Sequence, residues 1–439
     1  MDHSNTGNPN AAGGVGVVAR LSVMMFLQFF VWGAWYVSMT GFMNRTDMGG
    51  LIPAAYSVGP IAAILSPFFL GLIADRYFPT ERVLAVMMLL GGGILFAAPA
   101  VAEAYNPETD GSAFFHPYTL VLLGHMLCFM PTLGLTSSLS FHNLPNREKQ
   151  FPLVRVWGTI GWIAGNIAVS FLPGKDQAAE QFYLAGVAAI ALGLYSFTLP
   201  HTPPPARGSK PSVREILGLD SIALLAKPNY AVFMVCSFLL CIPLAGYYAF
   251  ARNYVEAAGA VVNDSAVFTM SFGQMSEILF MLVMPLCFAR LGVKWMLAIG
   301  MLAWVVRYGL FAGAWDGRVE WMILGGILLH GICYDFFFVT GMIYVDKAAN
   351  PRIRSQAQGF LVLVTQGLGM FIGAQAFGRL VGHFTTDGPD GATVLAWKDI
   401  WLWPCVFAGV IMLVFIALFR ERAASAAPQT GLEPPGPTR

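Results

Sequence analysis

The chain has 439 residues, of which 56% are hydrophobic and only 11% charged, and its formal net charge is +1. Soluble domains carry about a quarter charged residues, so this composition excludes an ordinary soluble enzyme and describes a polypeptide surrounded by lipid. A near-zero net charge leaves no global field to attract nucleic acid or an acidic ligand. The six cysteines (Cys128, Cys236, Cys241, Cys287, Cys333 and Cys405) are scattered through apolar runs, with no CxxC and no His spacing that suits zinc. They read as small buried hydrophobes, and neither a metal nor another cofactor is expected.

Crossing about 30 Å of hydrocarbon at 1.5 Å per residue takes about twenty apolar residues. Runs of that length fall at 20–43, 50–73, 82–104, 118–142, 152–173, 181–200, 229–255, 265–289, 294–315, 320–345, 356–382 and 397–420. Each is predicted helical, because lipid offers a backbone amide no partner outside its own segment. Residues 1–16 and the tail 423–439 read as disordered, and no cleavable leader is evident before the first run. The longest polar stretch, 201–228, opens HTPPPARGSKP and reads as a linker with a short surface helix at 213–224. It divides the chain into six spans within 1–200 and six within 229–422. The expected fold class is therefore an all-α membrane protein of twelve transmembrane helices in two six-helix halves.

Lys and Arg set the orientation. With the N-terminus inside, seventeen basic residues flank the spans on the inner side, while the outer loops hold only Arg45, Lys175, Arg252, Arg318 and Lys398. The positive-inside rule is then satisfied along the whole chain, and an even number of spans places both termini in the cytoplasm of a multi-pass inner-membrane protein.

Polar residues stranded in apolar spans cost several kcal/mol at bilayer depth unless they face a cavity or a partner, so they mark the functional path. The first span carries Gln28, Trp32 and Trp35 at i, i+4 and i+7, a stripe that suits a site or plain packing. The loop after the second span, GLIADRYFPTERV, places Gly71, Asp75, Arg76 and Arg82 where they could latch one conformation. On the fifth span Arg155, Thr159 and Trp162 share a face, and a guanidinium, hydroxyl and indole in one line fit a ligand with hydroxyls and a flat ring. Arg155 also lies near the inner end of its span, where an anchor reaching toward the headgroups is the competing reading.

Tyr247 and Tyr248 on the seventh span are open between packing and binding. On the eighth, Gln274 and Glu277 share a face in SFGQMSEILF, and a carboxyl in apolar surroundings can exchange a proton near neutral pH. The tenth span, LLHGICYDFFFVTGMIYVDK, brings His330 and Tyr334 onto one face with Asp335 one position around, so His, phenol and carboxyl could border one cavity. Arg307, in WVVRYGL, reads as a structural ion-pair partner, with Glu277 one candidate for its carboxylate. The sparse carboxylates disfavour a cage for a bound cation, which favours a proton over sodium as coupling ion.

Six spans, a cytoplasmic hinge and six more are the plan of the major facilitator transporters, and G-x-x-x-D-R at Gly71, Asp75 and Arg76 resembles their loop signature. The wording is more specific still. FLQFFVWGAWY, PFFLGLIADR, MPTLGL, RVWGTIGWI, ILGLDSIAL, QMSEILF, YDFF and RIRSQAQGF fall in order from residue 26 to about 375 and resemble the bacterial nucleoside:proton symporters of that superfamily. The resemblance implies that Arg155 and Thr159 line a nucleoside cavity, and that Gln274, Glu277 and Asp335 contact sugar hydroxyls or help couple protons. It also leaves Trp162 and Tyr334 for base stacking. Polar amides expected on the seventh span align with Ala245 and Tyr248, and the expected tyrosine one turn before Tyr334 is His330. Such changes alter which hydrogen bonds the site can make.

The function expected is secondary active import of nucleosides by proton symport, through alternating access. The partners are nucleoside, proton and the lipid bilayer, with no nucleic acid, and the chain is expected to act as a monomer. The alternative is a symporter or facilitator for another hydroxylated solute, such as a sugar or a nucleoside breakdown product. No Ser/His/Asp set, HExxH, GxSxG or Walker loop is present, so an enzyme is not expected.

Overall fold

The computed structural model describes residues 9–69, 77–145, 147–204, 219–262, 264–350, 353–387 and 393–420. Gly71, Asp75 and Arg76, most of the linker and the C-terminal tail lie outside them. The described chain is helical almost throughout, as backbone confined to hydrocarbon must be. Helix α1 spans Pro9–Gly33 and is followed, after a run of turns, by the short α2, Met39–Arg45. The expected disorder of residues 1–16 gives way to helix from Pro9, a residue whose fixed φ and missing N–H suit a helix start.

There follow α3 (Ile52–Phe69), α4 (Thr80–Leu95), α5 (Pro117–Asn143), α6 (Arg147–Ser170) and α7 (Glu180–Ser196). Beyond the linker come α8 (Pro228–Ala257) and the 49-residue α9 (Ala266–Ala314). The tenth span is built from α10 (Glu320–Leu328), a π-helical segment Ile332–Val339 and α11 (Thr340–Ala348). The eleventh is α12 (Arg354–Val362), a second π-helical segment Leu363–Gly369 and α13 (Met370–His383). A small antiparallel hairpin, β1 (Thr385–Asp387) with β2 (Thr393–Leu395), leads into α14 (Trp397–Leu418). A helical segment overlies each of the twelve predicted runs.

Among the described residues, nine stretches are long and apolar enough to cross a membrane by length and composition. Neither α6, which carries Arg147, Glu148, Lys149 and Arg155, nor the 17-residue α7 is among them. One of the nine, α9, covers two predicted runs. A straight 49-residue helix would be about 74 Å long, more than twice a bilayer core. It breaks at Gly292, whose φ of 68° and ψ of −177° are open to glycine and strained for other residues. In a straight helix Glu277 and Arg307 would be about 45 Å apart. Yet Arg307 Nη1 lies 3.3 Å from His330 Nδ1, while a Cβ added at the adjoining Gly331 would sit 2.7 Å from the Glu277 amide nitrogen. The chain therefore doubles back at Gly292, as two spans joined by a short loop require.

Packing runs mainly within two sets. Helix α1 lies against α6 and α7, α4 against α5 and α7, and α3 against α5; α9 packs on α10, α14 and the first π-helical segment, and α8 on α13 and α14. The sets meet where α3 touches α13 and where α6 touches α9. Large apolar side chains such as Leu282, Leu286, Trp321 and Leu413 face outward, an apolar surface of the kind that marks a membrane-facing wall. All six cysteines are free, five of them in spans of the second set.

The closest backbone approach among the described glycines is between α1 and α6. A Cβ at Gly161 would lie 2.1 Å from the Phe26 carbonyl oxygen, and one at Gly33 would lie 2.4 Å from the Trp162 carbonyl oxygen. Small residues let two membrane helices come together backbone to backbone, and here that contact fixes the register of Arg155, Thr159 and Trp162 against the first span. Gly161→Val is accordingly expected to destabilise the protein by about 1–3 kcal/mol or more. A thermal-unfolding curve in detergent should show the loss; an unchanged midpoint would contradict this packing.

Candidate functional site

A cavity of about 100 Å³ lies where the two sets of helices meet. From the first set it is lined by Phe29, Trp32, Tyr36, Arg155, Thr159 and Trp162, and from the second by Tyr248, Gln274, Glu277, His330, Tyr334, Gln366 and Met370. Nine of the eleven binding candidates thus reach one hollow. This volume is below the roughly 300–1,000 Å³ of ordinary small-molecule sites, so the aromatic walls must part to admit a ligand.

Helix periodicity explains the convergence. Arg155, Thr159 and Trp162 recur on one face of α6, pressed inward by the glycine contact with α1. The Arg155 guanidinium lies 4.3 Å from the Phe29 ring centroid and faces the cavity, which favours a site residue over a headgroup anchor. Trp32 meets Trp162 edge to face at 5.3 Å, and Tyr36 meets Tyr248 across the two sets at 5.9 Å. On the other wall, Ser276 Oγ accepts from the Gly331 amide at 3.1 Å. That bond, with the close approach at Gly331, sets Glu277 beside His330 and Tyr334.

Arg155 and Glu277 line the same hollow from opposite sides and form no ion pair within 4 Å among the described residues. Gln274 Oε1 and Trp32 Nε1 are enclosed and have no hydrogen-bond partner among the described residues. Each such orphan costs about 1–3 kcal/mol, a penalty that a polar ligand, or water in its place, removes. Among the described residues the cavity therefore offers flat apolar walls, one cation, one carboxyl, an unmatched acceptor and an unmatched donor.

Two candidates stand off the wall. Gln28 is fully buried, and its Nε2 donates to Thr132 Oγ1 at 2.7 Å, so it braces α1 against α5. Asp335 is also fully buried, one position around from Tyr334 in the π-helical segment, and neither of its oxygens has a hydrogen-bond partner among the described residues. It lies behind the lining. Trp35 is core, set edge to face against His125 at 5.4 Å. Ala245 is packed in the contact with Gly373, and Tyr247 lies beneath Arg307. Arg82 is exposed, apart from this cavity.

Arg307 differs from the expectation of an ion pair. No carboxylate is within 4 Å of it among the described residues; instead it caps the Tyr247 ring at 3.4 Å and contacts His330. A desolvated cation over an aromatic face is worth about 2 kcal/mol, which takes over part of the role an acid would fill.

Four lining residues were missed in the sequence. Phe29 and Trp32 near the end of α1, with Tyr36 in the turns just after it, make the cavity stripe at i, i+3 and i+7, one position off the stripe read from Gln28 and Trp35. Gln366 is a lone amide in an apolar run, the signal that flagged Gln274, and it lies in the second π-helical segment. Met370 carried no signal.

At one end the two sets are tied together. The buried Arg252 Nε donates to Asp176 Oδ2 at 3.0 Å, and its Nη1 pairs with Glu256. Gln177 Nε2 donates to Glu256 Oε1 at 2.6 Å, Lys175 Nζ to the Asp264 carbonyl at 2.9 Å, and Gln375 Nε2 to Ser57 Oγ at 2.8 Å. Three of the basic residues predicted outside, Arg45, Lys175 and Arg252, share this end.

A helical bundle with a polar, aromatic cavity between two sets of spans defines a membrane transporter of the major facilitator type. Comparison with known proteins agrees. A crystal structure of a mutant of nucleoside transporter NupG superposes with a TM-score of 0.81 at 31% identity, covering 92% of this chain and 100% of that one. The putative nucleoside transporter YegT of Escherichia coli K12 is 39% identical over 92% of this chain and 94% of its own length. The nucleoside permease NupG of the same organism is 32% identical over 92% and 96%. The sequence matches the nucleoside H+ symporter family over residues 15–424, and the chain belongs to that family. It is a transporter with the major facilitator fold, not an enzyme.

Removing one partner of a buried ion pair strands the other charge, at a typical cost of about 3–5 kcal/mol. Arg252→Met, which leaves the buried Asp176 carboxylate unpaired, is therefore expected to lower stability by about that amount. Chemical-denaturation curves of the purified protein check this, and parity with the wild type would show that the pair contributes nothing.

Proposed function

We propose that this chain imports a nucleoside together with a proton across the inner membrane, as a monomer with both termini cytoplasmic. The observation that carries the reading is the meeting of Arg155, Thr159 and Trp162 with Gln274, Glu277, His330 and Tyr334 in one cavity between the two sets of spans. The aromatic walls, Trp32, Trp162, Tyr248 and Tyr334, would hold the base by stacking, which suits every nucleobase because each has a π-face. Arg155, Thr159, Gln274 and His330 would read ribose hydroxyls and base edges.

Residues 1–200 and 229–422 act in this reading as two rigid bodies, joined by the linker 201–228, that rock about the cavity. The cluster of Arg252, Asp176, Glu256 and Gln177 supports it, because these groups close one end and must separate before that end can open. Gly71, Asp75, Arg76 and Arg82 would serve as the latch at the opposite face. The proton is assigned to Glu277, on the cavity wall, and to Asp335, one layer behind it. A carboxylate without a partner is too costly to stay charged in a dry state, so protonation accompanies closure around substrate. Release of substrate and entry of water on the inner side then favour loss of the proton.

A second reading, a different hydroxylated solute, rests on one observation: Ala245 is packed away and Tyr248 is aromatic where amides were expected to read the ligand. Competition of labelled uridine uptake by adenosine, xanthosine and hexoses separates the two, and displacement by hexoses alone would favour the second.

In proteoliposomes with an inward proton gradient, Glu277→Gln and Asp335→Asn are each expected to abolish uphill accumulation while leaving downhill exchange measurable. Accumulation at the wild-type level in both variants would remove the coupling role. Arg155→Ala should weaken substrate binding by about 1.5–3 kcal/mol, the worth of a hydrogen bond to a charged group, or roughly 10- to 150-fold in Kd by isothermal titration.

A further inference from the structure

Arg307 is almost wholly buried, has no carboxylate within 4 Å among the described residues, and leaves its Nε and Nη2 atoms without acceptors. A cation kept in such a place without a counter-charge is a poor packing element, since an apolar chain of similar volume would fill the space at less cost. Its hydrogen-bond contact among the described residues is with His330, Nη1 to Nδ1 at 3.3 Å. The contact is braced from below, because the guanidinium lies 3.4 Å from the Tyr247 centroid and the Tyr247 and His330 rings are stacked at 5.8 Å and 20°.

A guanidinium has donors and no acceptor, so the nitrogen facing it must offer a lone pair. While this bond stands, Nδ1 of His330 carries no hydrogen, and the neutral ring holds its hydrogen on Nε2. That second nitrogen has no protein partner among the described residues and is not sealed from the cavity that His330 lines. We propose that Arg307 is a positioning residue for the binding site, fixing His330 as a donor whose Nε2–H selects substrates by an acceptor atom presented at that point of the wall. The acceptor is a carbonyl oxygen or an unprotonated ring nitrogen of the base, or a ribose oxygen. The proposal rests on the reading that a nucleoside occupies this cavity. It reverses the part foreseen for Arg307, which acts through histidine instead of neutralising an acid.

The test combines transport kinetics with direct observation of the ring. Uptake of tritiated uridine and adenosine into proteoliposomes gives KM and turnover for wild type, Arg307→Met, Arg307→Lys, His330→Leu and the Arg307→Met/His330→Leu double variant. For a nucleoside that the wild type carries, Arg307→Met and His330→Leu should each raise KM by about 10-fold, with turnover changed by less than about 2-fold. Arg307→Lys, which keeps a donor, should recover part of the loss. The double variant should be no worse than His330→Leu alone, because Arg307 then has no ring to orient. Losses that simply add would assign Arg307 a structural role and overturn the proposal.

Nitrogen-15 spectra of histidine-labelled wild type in nanodiscs decide the tautomer even where a variant fails to fold, the His330 signal being assigned by its absence in His330→Leu. A hydrogen on Nε2 alone is expected; a hydrogen on Nδ1 would sink the idea. Absence of uptake of either nucleoside by the wild type would count against the transport reading, whereas the spectrum tests the Arg307 contact independently.

Discussion

Hydrocarbon offers an ionised side chain neither water nor counter-ion, and nearly everything distinctive in this structure stems from how the charges inside the spans escape that penalty. Arg155 and Glu277 do so by facing one hollow from opposite sides. Arg252 does so by pairing with Asp176 and Glu256 at one end of the bundle, and Arg307 by lying on an aromatic face and a histidine. None of these solutions is local to one helix. Each requires a second element at a defined register, so the cost of a buried charge becomes a constraint on how the spans pack.

That register is enforced by small residues. The contact of Gly161 and Gly33 with facing backbone lets α6 lie directly on α1, which turns the Arg155 face inward. In the second set, Gly331 beside the Glu277 amide and the bond from its N–H to Ser276 do the same for the acidic wall. Between lipid-facing helices there is no hydrophobic force to choose a partner face, so packing shape and a few hydrogen bonds must choose it. The residues that position the site are therefore mostly glycine and serine, and the residues that would perform the chemistry project from the next turn.

Much of this was legible in the sequence because the membrane simplifies the problem. Span positions follow from hydropathy, since an apolar run of the right length has only one backbone solution. Arg155 with Thr159 and Trp162, Gln274 with Glu277, and His330 with Tyr334 stand out because helical spacing places each group on one face, and their convergence follows from the cost of stranded polar groups together with the family resemblance. Three features escaped. The first span's stripe faces the cavity one position away from Gln28, whose spacing suits a site or packing equally and which braces Thr132. The π-helical segments at Ile332–Val339 and Leu363–Gly369 change the rotation per residue, so a 3.6-residue wheel misplaces side chains within and beyond them, Asp335 included. Arg307 was assigned an acid partner because sequence spacing cannot reveal which neighbours a doubled-back helix brings together.

The placement of Asp335 bears on how coupling could work. A carboxyl on the cavity wall is wetted whenever the site opens and can trade its proton with bulk water directly. One set a layer deeper, with both oxygens buried and unpartnered among the described residues, would gain access only through a shift of the π-helical segment that carries it. Wide turns of this kind leave backbone carbonyls and amides imperfectly paired, which lowers the cost of local rearrangement relative to regular α-helix. Tyr334 and Asp335 are adjacent in that segment, so a movement that brings the phenol against a bound base also changes the surroundings of the carboxyl. Substrate contact and proton access would then be two readouts of one local rearrangement, which is the physical requirement for coupling without a direct bond between proton and substrate.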